Sequence, residues 1–361
     1  MKNNCPELSF PSKIYRGFGS INRIHDISKK LGQRLFIIGG NKALKATMPL
    51  LESQLADLEI VVEAWYGGEC SQTNVDKLLK QVNKEDIDFI VGIGGGKALD
   101  TSKLVAQALD LPLLTIPTIA ATCAAVAAAS IVYDDKGHYL DFCLLKQAPD
   151  FVIMDPQIIA QAPVKWLSAG LADTLAKFYE FSAVSETNPE SSLNMSAYNN
   201  GQLCFDVISR YGPDAIQGVN NDQTSFALEQ VMDAIFIYAG FTSIMGVGNH
   251  VAAAHGLYNG FTVNDKTRHF GHGLLVGYGN LCLLALENKE DQHILDAIQL
   301  AKNCAVPVSL SEIADLSNDE LLEIADAAVA TSDIQSMPFP VTSQDLILAI
   351  KRIENLVLNF K

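Results

Sequence analysis

Three side chains in the second half of the chain have the type and setting to hold a catalytic metal ion. They are Asp173 in Gly170-Leu171-Ala172-Asp173-Thr174, His255 in Ala252-Ala253-Ala254-His255-Gly256, and His272 in Gly271-His272-Gly273. Two imidazoles and one carboxylate leave at least one coordination position open, which separates a catalytic Zn²⁺ or Fe²⁺ site from a closed structural one. Each residue also has an ordinary reading. His255 fits a core histidine on an alanine-rich helix, His272 a capping residue beside Gly273, and Asp173 half of an i,i+4 pair with Lys177. The three together, set among small residues that let a ligand approach and lying downstream of a nucleotide-binding pattern, favour the metal. His250 and His269 lie near enough in sequence to be alternative ligands or partners of the ligating rings.

Two further motifs suit a nucleotide. Val91-Gly92-Ile93-Gly94-Gly95-Gly96-Lys97-Ala98-Leu99-Asp100 places a glycine run where a strand turns into a helix. Glycines there let backbone N–H groups approach a pyrophosphate, and the helix N-terminus adds positive potential. Tight strand-to-helix turns need glycine for steric reasons as well. The run matches neither GxGxxG nor the Walker A pattern, since GK[ST] is missing, so an ATPase is disfavoured. Pro117-Thr118-Ile119-Ala120-Ala121-Thr122-Cys123 follows a strand and should lie at the carboxyl edge of a sheet, where ligands of such folds bind. Its small residues equally suit close helix packing.

The elements that position these residues change character near residue 155. Before it, Arg34–Ile38, Glu59–Val62, Phe89–Ile93 and Leu113–Ile116 read as strands, with helical segments such as Asn74–Val82 and Ala98–Ala108 between them. This β-α-β rhythm predicts a parallel sheet covered on both faces. After Asp155-Pro156, helical patterns dominate: Trp166–Val184, Ser191–Ile208, Thr224–Thr242, and a last helix opened by the capping-box spacing of Thr342 and Asp345. The expected division is an α/β nucleotide-binding domain over 1–155 and an all-α metal-binding domain over 156–361.

With 361 residues, 48% hydrophobic and 19% charged, the chain has the composition of a two-domain globular protein. A net charge of −15 opposes binding to nucleic acid or anionic membrane and leaves small molecules as the expected partners. Met1 to Pro6 lacks an apolar signal core, and the apolar run Ile116–Val132 is too short and alanine-rich to span a bilayer comfortably, so a cytoplasmic location is expected. Seven cysteines without CxxC spacing read as reduced thiols.

Over nearly its whole length the sequence resembles the iron-containing alcohol dehydrogenase superfamily, in its glycerol dehydrogenase branch. The resemblance is carried by Gly94-Gly95-Gly96-Lys97 with Asp100, Pro117-Thr118-Ile119-Ala120, Gly170-Leu171-Ala172-Asp173, Ala254-His255 with Asn259-Gly260-Phe261-Thr262, His272-Gly273, and Met337-Pro338-Phe339-Pro340. It implies a Rossmann-like N-terminal domain with a parallel sheet, an all-α C-terminal domain, and a cleft holding nicotinamide and metal. It makes Asp173, His255 and His272 the metal ligands. Gly94, Gly95, Gly96 and Lys97, with Asp100, would serve the pyrophosphate; Thr115, Thr118, Ala121, Ala127, Ala129 and Tyr133 would line the rest of the cofactor site. One divalent ion, zinc or iron, NAD or NADP, and a homo-oligomer are implied.

The departures bear on substrate. Where the glycerol dehydrogenase branch places an aspartate against the polyol, this chain has Cys123, and the usual neighbouring serine is Ala121. Lys177 stands where other members place a further histidine ligand. A protonated lysine cannot ligate, but in the same cleft it could pair with a substrate carboxylate. The expected substrate is therefore a small 2-oxo or 2-hydroxy acid, as in the hydroxycarboxylate dehydrogenases that the Asp-Thr-Leu-Ala-Lys segment resembles. Gly40 replaces the aspartate of NAD-preferring relatives, which removes the repulsion of a 2′-phosphate that Asn41 and Lys42 could contact. Cys123 has no adjacent histidine to activate it as a nucleophile. Glycerol oxidation is the alternative, and a dehydroquinate synthase-like cyclase is an alternative of another class.

Overall fold

The computed structural model describes residues 8–184, 191–245 and 251–360. Eight strands occur among them: β1 (Lys13–Arg16), β2 (Arg34–Gly39), β3 (Glu59–Trp65), β4 (Phe89–Gly94), β5 (Leu113–Pro117), β6 (Ala129–Tyr133), β7 (Tyr139–Leu144) and β8 (Phe151–Met154). Six form one parallel sheet in the order β1-β8-β5-β4-β2-β3, while β6 and β7 make a separate antiparallel hairpin. β4, β5 and β8 are buried along their whole length, the signature of parallel strands covered on both faces.

Alternation sorts the side chains of β2 between two cores. Leu35 and Ile37 join Val91, Ile93 and Leu114 on one face, under α1 (Ile24–Leu31) and α2 (Asn41–Leu55). Phe36 and Ile38 join Ile90 and Val105 on the other, under α3 (Gln72–Leu79) and α4 (Gly96–Leu109). The four strands expected from sequence are all present. β1 and β8 were not read from it; they pair with each other, Lys13 opposite Phe151, at one edge of the sheet.

Asp88 ties the starts of β2 and β4 together. Its carboxylate accepts from the backbone N–H groups of Gln33 and Arg34 at 2.8 and 2.9 Å and from Arg34 Nη2 at 2.7 Å. The hydrogen bond from Arg34 is the main reason its carboxyl titrates below the usual range. A lowered folded-state pKa stabilises above the ordinary carboxylate pKa, and that stability is lost as pH falls through the folded value. Asp88→Asn is therefore expected to cost about 1–2 kcal/mol at neutral pH, held down by partial exposure of the pair, with a gap from wild type that closes under acid. Urea melts at a series of pH values check this.

The remaining helices are α5 (Pro156–Ala160), α6 (Lys165–Val184), α7 (Ser192–Asn220), α8 (Phe226–Met232), α9 (Ala239–Met245), α10 (Ala253–Phe261), α11 (His272–Leu286), α12 (Asp291–Asn303), α13 (Leu310–Ile313), α14 (Asn318–Val329), α15 (Ser332–Gln335) and α16 (Ser343–Asn359). The helix expected over Thr224–Thr242 is broken into α8, a π-helical turn over Asp233–Tyr238, and α9. The capping box of Thr342 and Asp345 opens α16 as its spacing implied. By internal contacts the chain divides into residues 1–162 with 221–225, and 163–220 with 226–361. The helix α5, placed with the helical half by the composition change, thus belongs to the first unit. Among the described residues no helix is long and apolar enough to cross a membrane.

Close packing sets the helices of the second unit. On α11, a Cβ added to Gly273 would lie 2.1 Å from the Ala169 carbonyl oxygen of α6. Further along α11, Asn280 donates to the Ala172 carbonyl at 3.0 Å. The backbones of α6 and α11 are therefore in contact beside Asp173.

Candidate active site

Asp173 projects from the middle of α6, His255 from the first turn of α10, and His272 opens α11 after Gly271, whose φ is +126°. The Nε2 atoms of His255 and His272 lie 3.5 and 3.3 Å from Asp173 Oδ1. One donor atom from each residue lies within 4.8 Å of the others. Ligands about 2.0–2.2 Å from a tetrahedral ion stand about 3.3 Å apart, so the spacing suits a Zn²⁺- or Fe²⁺-sized ion. Asp173 Oδ1 is buried without a hydrogen bond, which an ion bound there would remedy. The residues present fit the metal that their types imply.

A fourth residue, not anticipated from sequence, completes this cluster. Glu180 is 1% exposed on α6. Its Oε2 meets His255 Nδ1 at 2.6 Å, while Oε1 accepts from the backbone N–H groups of Ala252 and His255 at 2.8 and 2.9 Å. The signal for it was in the sequence: Asp173, Lys177 and Glu180 stand at i, i+4 and i+7, one face of an otherwise largely apolar helix. Tyr258 packs edge-on against the His272 ring, with centroids 4.3 Å apart.

The electrostatics ask for positive charge between the two carboxylates. Burial by itself raises the Asp173 carboxyl, but the His255 and His272 rings outweigh it and hold it well below the usual range. Burial likewise depresses His255, yet Glu180 and Asp173 outweigh it and push it up to about 10. A divalent cation and the imidazole proton thus compete for the same place. Lys177, 8% exposed, lies one turn beyond Asp173, and its charge lowers both Asp173 and His255. His269 is exposed, accepts from Arg268, and is outside the cluster; His250 lies outside the described residues.

In the first unit, β4 runs into α4 through Gly94, with φ +156°, and Gly95, where a Cβ would come within 2.6 Å of Ile119. No side chain caps the N-terminus of α4. Its first backbone N–H groups are of the kind that donate to an anion. Lys97 pairs with Glu69 and lies over the Tyr133 ring, 4.7 Å from its centroid. Gly40 precedes the first turn of α2, where Asn41 and Lys42 are exposed.

Two residues expected at the cofactor are committed elsewhere. Asp100 is buried, with its carboxylate on Lys103 Nζ at 2.8 Å and on the Ile131 backbone N–H at 3.1 Å. Thr115, fully buried, donates its hydroxyl to the Ala125 carbonyl at 2.7 Å. Both side chains thereby tie down the segment from Ala125 to Ile131 that follows β5. Lys103, which sequence reasoning passed over, does the same by donating to the carbonyls of Ala124, Ala127 and Ala129. Thr118 is also buried, with its backbone N–H on the Gly94 carbonyl at 3.0 Å. Ala121, Ala127, Ala129 and Tyr133 are partly exposed along this segment. Cys123, also partly exposed, begins a short 3₁₀ turn that Thr122 caps. Cys123 belongs to the first unit, and the metal-ligand cluster and Lys177 to the second.

The chain matches the family model for iron-containing alcohol dehydrogenases over residues 11–156. It is 32% identical to a glycerol dehydrogenase of Thermotoga maritima over 359 residues, 95% of each chain. To hydroxycarboxylate dehydrogenase A of Escherichia coli it is 33% identical over 357 residues, 96% of each. Its fold superposes on the crystal structure of glycerol dehydrogenase from Schizosaccharomyces pombe with a TM-score of 0.88 at 25% identity, covering 98% of this chain and 92% of that one. With its parallel sheet, its helical second unit and its Asp-His-His cluster, the chain belongs to the iron-containing alcohol dehydrogenase family and is an oxidoreductase acting on CH–OH groups.

Proposed function

We propose that the protein is a metal-dependent NAD(P)H oxidoreductase that interconverts a small 2-oxo acid and the corresponding 2-hydroxy acid. The substrate reading is carried by Lys177, a nearly buried cation one helical turn from Asp173. A buried ammonium with three donors favours a ligand carboxylate over a neutral polyol. The 33% identity to hydroxycarboxylate dehydrogenase A supports the same class. Asp173, His255 and His272 hold one divalent ion, zinc in the first place and iron as the other candidate. When bound, the ion supplies Lewis-acid polarisation of the reacting oxygen and the nicotinamide exchanges the hydride.

The chain's own groups do the rest. The glycine turn and the N-terminus of α4 bind the pyrophosphate. Gly40 leaves the ribose site without an acid, and Asn41 and Lys42 can take a 2′-phosphate, so NADP(H) is accepted alongside NAD(H). Lys177 orients the substrate by its carboxylate. Glycerol oxidation is the second reading, favoured by the 32% identity to the T. maritima glycerol dehydrogenase. Membership of an oxidoreductase family sets the cyclase alternative aside.

The test follows NADH and NADPH absorbance in zinc-loaded protein, with 2-oxobutanoate or 2-oxoglutarate reduction compared with glycerol oxidation. Lys177→Ala is expected to lower kcat/KM for the oxo acid about 10- to 100-fold, chiefly through KM, while slow glycerol turnover changes little. Efficient glycerol oxidation that ignores Lys177 would establish the polyol reading instead.

A further inference from the structure

We infer that Glu180 is the positioning residue that makes His255 a metal ligand through Nε2, by fixing which ring nitrogen carries the proton. This rests on the metal reading of the Asp173, His255 and His272 cluster. Imidazole can ligate through only one nitrogen at a time while the other carries a proton, and that choice follows the hydrogen bond made by the second nitrogen. Glu180 Oε2 lies 2.6 Å from His255 Nδ1 and, as a carboxylate oxygen, can only accept. The Nδ1 proton is therefore held by Glu180, which leaves Nε2, 3.5 Å from Asp173 Oδ1, as the nitrogen that an ion can take by displacing its proton.

The other carboxylate oxygen makes this arrangement sensitive to a single atom. Oε1 accepts two backbone donors, the N–H groups of Ala252 and His255. In Glu180→Gln those donors demand the amide oxygen at the same place, because turning the amide round would set its NH₂ against both of them. The NH₂ group is thereby left facing Nδ1. A donor opposite Nδ1 forces that nitrogen to accept, so the neutral ring keeps its one proton on Nε2 and offers the metal position no lone pair. The shape of the side chain and both backbone hydrogen bonds survive, so the variant separates proton placement from packing.

The experiment is zinc binding by competition with a chromophoric chelator, together with ¹⁵N NMR of the histidine rings, on the full chain. Wild type is expected to take up one zinc ion with His255 protonated at Nδ1 and zinc on Nε2. Glu180→Gln is expected to bind zinc about 10- to 100-fold more weakly. Its metal-free form should carry the His255 proton on Nε2 and melt within a few degrees of wild type. Zinc affinity within about threefold of wild type, with the proton still on Nδ1, overturns the inference. If the variant does not fold, the wild-type spectrum still decides: zinc on His255 Nδ1 refutes it and zinc on Nε2 supports it. Should wild type bind no zinc or iron at all, the metal reading fails and this inference fails with it.

Discussion

Asp173→Asn is expected to leave a folded protein without stoichiometric metal and to lower turnover about a thousandfold or more, roughly 4 kcal/mol of transition-state stabilisation. The asparagine has nearly the same shape and sits among the same α6 and α11 neighbours, so the scaffold has little reason to move. What changes is charge. Asp173 Oδ1 is the one atom that both His255 Nε2 and His272 Nε2 approach. A neutral amide there gives a divalent ion a far weaker ligand and removes one of the two buried carboxylates whose charge it balances. Metal per chain measured by mass spectrometry, beside NAD(P)H-linked activity and a thermal melt, tests each part. Full metal content with wild-type turnover would show that the cluster is not the reaction centre.

Gly273→Ala should damage the same site from the packing side. The added Cβ would lie 2.1 Å from the carbonyl oxygen of Ala169 and 2.7 Å from its carbonyl carbon. These are backbone atoms of a long helix, with no flexible side chain to swing away. Relief requires α11 to move off α6, and His272, the preceding residue, moves with it while Asp173 stays on α6. Overpacking of this kind costs about 3 kcal/mol or more when backbone must shift. A fall in Tm of several degrees is expected together with loss of zinc affinity. A variant that melts like wild type and keeps its metal would mean that the two helices are not held at this separation.

Much of the fold was legible because it is written in period. Strands such as Phe89–Gly94 and Leu113–Pro117 are mostly apolar runs ending in glycine or proline, and the helices between them repeat every three to four residues. β1 escaped because Lys13-Ile14-Tyr15-Arg16 begins and ends on a charge and shows little strand pattern, and β8 because its short apolar run stands next to the Asp155-Pro156 boundary. The hairpin of β6 and β7 escaped for a different reason: β6 emerges from the alanine-rich stretch before Ser130, and β7 exposes Tyr139, Leu140, Phe142 and Leu144, so neither shows an inside and an outside. The Asp173, His255 and His272 cluster was visible from residue type and family resemblance. Glu180 was not, since a glutamate in a helix normally reads as a solvated surface residue, and only tertiary packing of α10 against α6 reveals what it binds. Asp100 illustrates the converse. Its place in a glycine-rich motif suggested the cofactor, and its pairing with the buried ammonium of Lys103 shows only in the fold.

The three candidate metal ligands lie on three separate helices and span residues 173 to 272. No short peptide of the chain contains all three, so no local turn or loop can collect the ion as a zinc finger does. During synthesis the glycine turn at Gly94 is made long before His272, so the sheet-forming part of a nascent chain precedes the completed Asp-His-His cluster. On the proposed metal reading, uptake is an event of assembly rather than of local folding, completed only once α6, α10 and α11 have met. A cell that misfolds this chain loses the helix packing and the metal together, and a metal-loaded molecule is by that fact one whose helical half has assembled.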